Sequence, residues 1–301
     1  MGALEIFFEI ILPIFILIGV GVALDRVREI DLPTLSALNF YVFVPALIFI
    51  KILEAEIAPR LMLGVGLFAV AHVLALWGLT RITFSWKPLQ SNRTVLSLGT
   101  MFFNAGNYGI PLTILAFGEE MVSVLAVVLM VQNFLSFTLG IWLLEKERRQ
   151  TDGVLRRLVG IPVVHAIILA LLLKWLDVTL VEQVRVPLGY LADGLIPIAL
   201  LTLGVQLSRS RSSGNVLPLG ILGGLRLVVS PVIAWGLVVV FGFEAPVSTL
   251  LIVTAGLPVA VNVYILSAEY NEDADLASQG VFWTTLASAV TVAILLSLLA
   301  A

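Results

Sequence analysis

Residues 99–112 read Gly99-Thr-Met-Phe-Phe-Asn104-Ala-Gly106-Asn107-Tyr-Gly109-Ile110-Pro111-Leu112, and this stretch decides the fold. Two amides, glycines and a proline sit inside an apolar run long enough to cross a bilayer. Pro111 lacks a backbone donor and disfavours helix through Ile110. Gly106 and Gly109 loosen the backbone beside it. The segment is therefore expected to unwind near mid-membrane, where freed N–H and C=O groups are tolerable only beside a protein-lined, hydrated cavity.

A second stretch repeats the device: Gly256-Leu-Pro258-Val-Ala-Val-Asn262-Val-Tyr264. Interrupted apolar segments at matching places in two halves of a chain point to a transporter's binding site. The open N–H groups and positive end of a half-helix attract an anion, and amide side chains add directional bonds. The expected substrate-binding set is Asn104, Asn107 and Asn262, with Gly106, Pro111 and Pro258 shaping the breaks. The competing reading is that Gly and Pro are common in membrane helices and that amides glue helices together.

Outward from these stretches the whole chain is apolar. Of 301 residues 60% are hydrophobic and 12% charged, with mean hydropathy +1.09. A soluble domain carries about 25% charged residues, so this chain lacks the polar surface to meet water. Ten apolar spans are expected: Glu5–Leu24, Leu35–Leu53, Leu61–Thr80, Thr94–Phe117 and Met121–Leu144, then Leu158–Leu176, Leu188–Leu207, Leu217–Phe241, Ser248–Tyr270 and Leu276–Leu299. Ser91 and Asn92 are placed to cap the fourth. Glu145 to Arg157, the longest polar stretch, reads as a loop. The acidic Glu5 and Glu9 argue for a retained first helix rather than a signal peptide.

Placing the loops after spans one, three, five and seven inside assigns twelve Lys and Arg to that side, against four outside (Lys51, Arg60, Lys174, Arg185). The positive-inside rule then sets both termini outside, in a cell membrane. Five spans per half mean that related halves must be inverted. Pro13 and Pro162, Pro45 and Pro197, and Pro111 and Pro258 are separated by 149, 152 and 147 residues, which fits such a duplication. Thirteen prolines also supply some matching pairs by chance.

The same composition excludes other chemistry. Net charge −3 and no basic stripe argue against nucleic acid. The absence of cysteine removes disulfides and thiolates. His72 and His165 stand apart from carboxylates, so no metal site is expected. Four other intramembrane polar residues remain as candidates for coupling or for supporting the site. Arg226 lies inside the eighth span, where an unpaired charge costs about 2.5–3.5 kcal/mol, so it must find a partner, snorkel or line water. His72, mid-span in the third helix, is the first candidate for proton coupling, against a plain hydrogen-bonded helix contact. Gln132 and Asn133 could face the break and offer oxygens to sodium.

The Asn-Ala-Gly-Asn-Tyr-Gly-Ile-Pro-Leu stretch resembles the fourth-helix crossover of the auxin efflux carrier family, the plant PIN exporters and bacterial relatives that include malate and malonate carriers. Leu257-Pro258 and Ala268-Glu269-Tyr270-Asn271 resemble that family's ninth helix, and Asp193 with Thr202-Leu203-Gly204 its seventh. The likeness covers essentially the full length. It implies an all-α fold like that of sodium/bile-acid symporters: ten helices in two inverted five-helix repeats, with broken helices four and nine crossing. It implies scaffold helices at 5–53 and 158–207 that dimerise, and a mobile set at 61–144 and 217–299 that moves as an elevator. It also implies that Asn104 meets the substrate carboxylate of a small organic anion. Where plant members carry Asn-Pro-Asn in helix six, this chain has Gly160-Ile-Pro-Val163, so contacts from that helix do not carry over. The expected function is secondary transport of small carboxylates without a cofactor, with sodium or proton as the candidate coupling ion. The rivals are a cation/proton exchanger of the same fold, which would want a carboxylate at a break, and a membrane sensor or intramembrane enzyme, which would need a catalytic constellation.

Overall fold

The computed structural model describes residues 2–54, 58–145, 162–210, 216–270 and 272–299. The regular structure among those residues is helical, apart from one isolated antiparallel bridge. In chain order the helices are α1 (Leu4–Arg28), α2 (Leu32–Glu54), α3 (Pro59–Thr83), α4 (Arg93–Met101), α5 (Ile110–Phe117), α6 (Glu119–Leu144) and α7 (Pro162–Trp175). Then follow α8 (Glu182–Ser208), α9 (Val216–Phe241), α10 (Val247–Ala255), α11 (Val261–Glu269) and α12 (Ala274–Leu299). Seven of them, α1, α2, α3, α6, α8, α9 and α12, are long and apolar enough to cross a membrane, and α7 is a shorter apolar helix. This is a multi-pass membrane protein. The expected fourth and ninth spans are the interrupted pairs α4/α5 and α10/α11. Part of the expected sixth span, the basic residues Lys146, Arg148, Arg149, Arg156, Arg157 and Arg211, and Asn271 lie outside the described residues.

Local signals set the helix ends. Asp31 caps α2, its carboxylate accepting from the Thr34 N–H at 3.2 Å, with Pro33 in the first turn. Pro59 opens α3, and Gly242 closes α9 in the left-handed conformation. Asn92 does occupy the N-cap position of α4, yet its side chain caps nothing. Its amide donates to Asp273 at 2.7 Å instead, so the expected cap is replaced by a tie between loops.

Among the described helices, α1 and the second half of α8 share the most extensive packing. Gly21 and Gly204 meet there: a methyl group on Gly204 would collide with the Ile18 carbonyl, and one on Gly21 with the Leu201 carbonyl. Small residues let membrane helices approach until their backbones touch, where dispersion replaces the missing hydrophobic drive. The pair is stapled at one end by Asp25, which accepts from Arg209 at 2.6 and 3.1 Å and from the Ser208 hydroxyl. Asp25 in turn raises the pKa of Arg209, just beyond the end of α8. The second half of α2 packs against α7 and the first half of α8, while α3 packs on α4, α6 and α9. Bulky apolar side chains such as Leu4, Trp175 and Val240 stay exposed on the outer faces, as lipid contact requires.

Candidate functional site: the crossing of the two interrupted segments

The two breaks meet as a short antiparallel ladder. Phe103 pairs with Val259, the Asn104 N–H donates to the Pro258 carbonyl at 2.9 Å, and the Ala260 N–H donates to the Phe102 carbonyl at 3.0 Å. The Val259 N–H is taken by Thr284 Oγ1 of α12 at 3.0 Å. Each unwound segment thus satisfies backbone groups of the other, which is how irregular chain persists at membrane depth.

The fourth-span break lies at Phe102–Asn104, upstream of where Pro111 and Ile110 pointed. From Ala105 the chain is helical again, first as a π turn over Ala105–Gly109 and then as α5. The π geometry explains the shift. The Gly109 N–H reaches back five residues to the Asn104 carbonyl at 2.9 Å, and this wider turn accommodates a proline two residues on. Gly109 packs closely at the crossing: a Cβ there would sit 2.9 Å from Leu257 Cδ1, so the tip of Leu257 would have to shift. A Cβ on Gly106 would meet nothing within 4 Å.

Asn104 is the N-cap of this helix, its Oδ1 accepting from the Asn107 N–H at 3.1 Å. That bond fixes the amide and leaves Nδ2, a donor, buried with no hydrogen-bond partner among the described residues. Across the gap, Asn262 Nδ2 donates to Asn133 Oδ1 at 3.1 Å, joining α11 to α6. Gln132, one residue earlier, has neither end of its amide paired among the described residues.

Asn104, Gly106, Asn107, Gln132, Asn133 and Asn262 all line one cavity of about 390 Å³. The structure therefore gathers six of the ten expected residues. Pro111 and Pro258 are buried beside the cavity without lining it. His72 and Arg226 also lie off its walls, beyond Phe103. Arg226 is fully buried and finds its partners among carbonyls rather than carboxylates. It donates to the Thr100 carbonyl at 2.5 Å, to the Ala255 carbonyl and to Ser230 Oγ, with its Cζ 5.1 Å from the Phe103 ring centre. Thr100 and Ala255 stand at the C-terminal ends of α4 and α10, so one guanidinium holds both negative helix ends. His72 Nε2 lies 3.1 Å from Ser230 Oγ and 3.2 Å from the Ser230 carbonyl, attached to the same cluster.

Sequence reasoning missed the cavity's other wall. Asn39 of α2 and Ser136 of α6 line it, both buried, as do the apolar Phe40, Val44, Phe137 and Ile265. Asn39 and Ser136 each open a π segment, Asn39–Phe43 and Ser136–Gly140. Such bulges re-aim side chains and recur at functional sites. The one available signal was an amide or hydroxyl inside an apolar span. No Asp, Glu, Lys, Arg or His is among the lining residues described.

Comparison with known proteins settles the family. A sequence model described as "Membrane transport protein" matches residues 6–296. The chain belongs to this family of auxin efflux carriers. As a membrane transport protein it shares 27% identity over 296 residues with an uncharacterized transporter of Methanothermobacter thermautotrophicus, covering 94% of this chain and 95% of the relative. It is 24% identical over 310 residues to a Rhizobium meliloti protein named "Putative malonate transporter", covering 96% and 95%. An uncharacterized transporter of Methanocaldococcus jannaschii is 23% identical over 298 residues, covering 95% and 96%. These names are of transporters, not enzymes.

Proposed function

We propose that this protein is a secondary transporter of small organic anions that binds a carboxylate where its two interrupted segments cross. The observation that carries the reading is the oriented Asn104 amide: Asn104 caps a half-helix, lines a cavity without a lining acid, and keeps its Nδ2 donor unpaired among the described residues. A carboxylate there would accept from Asn104 Nδ2 and gain from the positive helix ends. A cation exchanger would need the opposite, an acid facing the cavity. The apolar wall suits the hydrocarbon part of a carboxylate, and the relative named for malonate makes that diacid a first probe.

The ten-span inverted repeat and the elevator motion belong to the same proposal. Helices α1, α2, α7 and α8 pack as one group and would form the dimerising scaffold, with α3–α6 and α9–α12 carrying the crossing. With both termini outside, Asn39 early in α2, Phe137 late in α6 and Ile265 late in α11 all belong to the inner half, so the cavity would open inward. Lys51 at the outer end of α2 is ion-paired with Glu119 at the start of α6, closing the opposite side. A proton-coupling role for His72 would have to act through Ser230 and Arg226 rather than by contact with cargo.

The test is uptake into proteoliposomes of radiolabelled malonate, indole-3-acetate and a panel of further mono- and dicarboxylates, each with a size-matched organic cation, under imposed sodium and pH gradients. Saturable uptake of at least one carboxylate and of no cation supports the reading. Saturable cation uptake with no carboxylate uptake overturns it.

A further inference from the structure

We propose that Asn39 of α2 is a specificity-determining residue that offers the substrate a hydrogen-bond acceptor, so that the preferred cargo is a carboxylate that also bears a hydroxyl or N–H group. This rests on the anion site described above and sharpens it.

Asn39 has a definite amide orientation. Thr202 of α8 decides it. Its hydroxyl has one hydrogen, given to the Ile198 carbonyl at 2.6 Å, so toward Asn39 the oxygen can only accept. The Asn39 group 3.2 Å from it must then be Nδ2. That leaves Oδ1 as the free end of a side chain that lines the cavity and is 3% exposed. Oδ1 takes no hydrogen bond among the described residues. Amide ends are assigned from their partners, and here the partner permits one assignment.

Asn104 is oriented in the opposite sense. Its Oδ1 is held by the Asn107 N–H, and its free end is the donor Nδ2. Two side chains that line the cavity thus carry opposite unpaired ends, a donor at the crossing and an acceptor on α2. Gln132, with both amide ends unpartnered, can present either a donor or an acceptor. A carboxylate satisfies the first end. A plain hydrocarbon chain would leave the second unpaired, whereas a hydroxyl or N–H would pair with it. Sites built to bond a substrate OH or NH discriminate strongly against analogues that lack it, because the site's polar group is then stranded.

The bland reading is that Asn39 and Thr202 only join α2 to α8. Matched substrates separate the two. The full-length protein would be titrated calorimetrically with 3-phenyllactate against 3-phenylpropionate, and with malate against succinate, pairs that differ by one hydroxyl. Malonate serves as an unmatched carboxylate. The wild type is expected to bind at least one hydroxylated member roughly tenfold more tightly than its partner. Asn39→Leu should abolish that preference. Thr202→Val, which frees the amide to turn, should narrow the preference, and Thr202→Ser should restore it. The Thr202 pair decides the matter should Asn39→Leu fail to fold. Equal wild-type affinities within both pairs, or a preference that survives in folded Asn39→Leu or is unchanged in Thr202→Val, would overturn the proposal with carboxylate binding intact. Binding of none of the five acids, together with no carboxylate uptake in liposomes, would remove the anion reading and this proposal with it.

Discussion

Asn104 does two jobs with the two ends of one amide, and substitution can separate them. Oδ1 caps the helix that begins at Ala105, and Nδ2 is left for cargo. Asn104→Ala removes both. Loss of an N-cap costs about 1 kcal/mol of stability. Loss of a hydrogen bond to a charged group costs about 1.5–3 kcal/mol of binding, or roughly ten- to a hundred-fold in affinity. Asn104→Ser keeps the cap, since serine ranks with asparagine at that position, but its shorter side chain withdraws the donor. The serine variant should therefore melt like wild type while binding as weakly as the alanine variant. Thermal unfolding in detergent, followed beside titration with whichever carboxylate the liposome screen identifies, measures both quantities on one sample. Wild-type affinity in the folded serine variant would refute the assignment of Nδ2 to the substrate. A serine variant as unstable as the alanine one would refute the cap.

Other positions carry further expectations. Arg226→Gln should abolish transport, because one neutral amide cannot serve the Thr100 and Ala255 carbonyls and Ser230 together; Arg226→Lys, retaining the charge at both helix ends, should recover part of the rate measured by uptake. Glu119→Gln should favour the outward-open form by releasing Lys51, read as faster labelling of an outer-facing cysteine by an impermeant thiol reagent; unchanged labelling would mean the ion pair is no latch. Gly204→Ala should destabilise by about 1–3 kcal/mol through overpacking against Ile18, whereas Gly106→Ala, open on all sides, should leave the melting temperature near wild type.

Much of this was legible in the sequence because breaks in an apolar span are expensive and so conspicuous. Pro258 in its glycine-flanked setting marked the ninth-span break correctly. Pro111 marked the fourth only approximately: a π turn absorbs the missing donor and moves the break to Phe103. Helix faces were less readable. A helix buried among other helices is apolar all round, so periodicity does not say which side an isolated amide takes. Gln132 and Asn133 could be guessed because two adjacent amides, about 100° apart on a helix, together span a wide arc of its surface. Asn39 and Ser136 stand at the start of π segments, which leave no compositional mark. Arg226 stood out as a charge in the membrane, but its partners are carbonyls, which every residue possesses and no pattern reveals.

The central claim is that a transported carboxylate sits against the crossing. The chain has no cysteine, so a single one can report on it without further engineering. Gly106 lines the cavity and has room for a side chain, which makes Gly106→Cys the reporter and exposed Ser85 to Cys the control. The rate of labelling by a small thiosulfonate reagent would be followed as the transported carboxylate is raised. The account predicts that labelling at 106 slows with a midpoint matching the transport KM, while labelling at 85 does not change. Labelling at 106 that is indifferent to a carboxylate the protein demonstrably transports would place the cargo elsewhere and contradict the account.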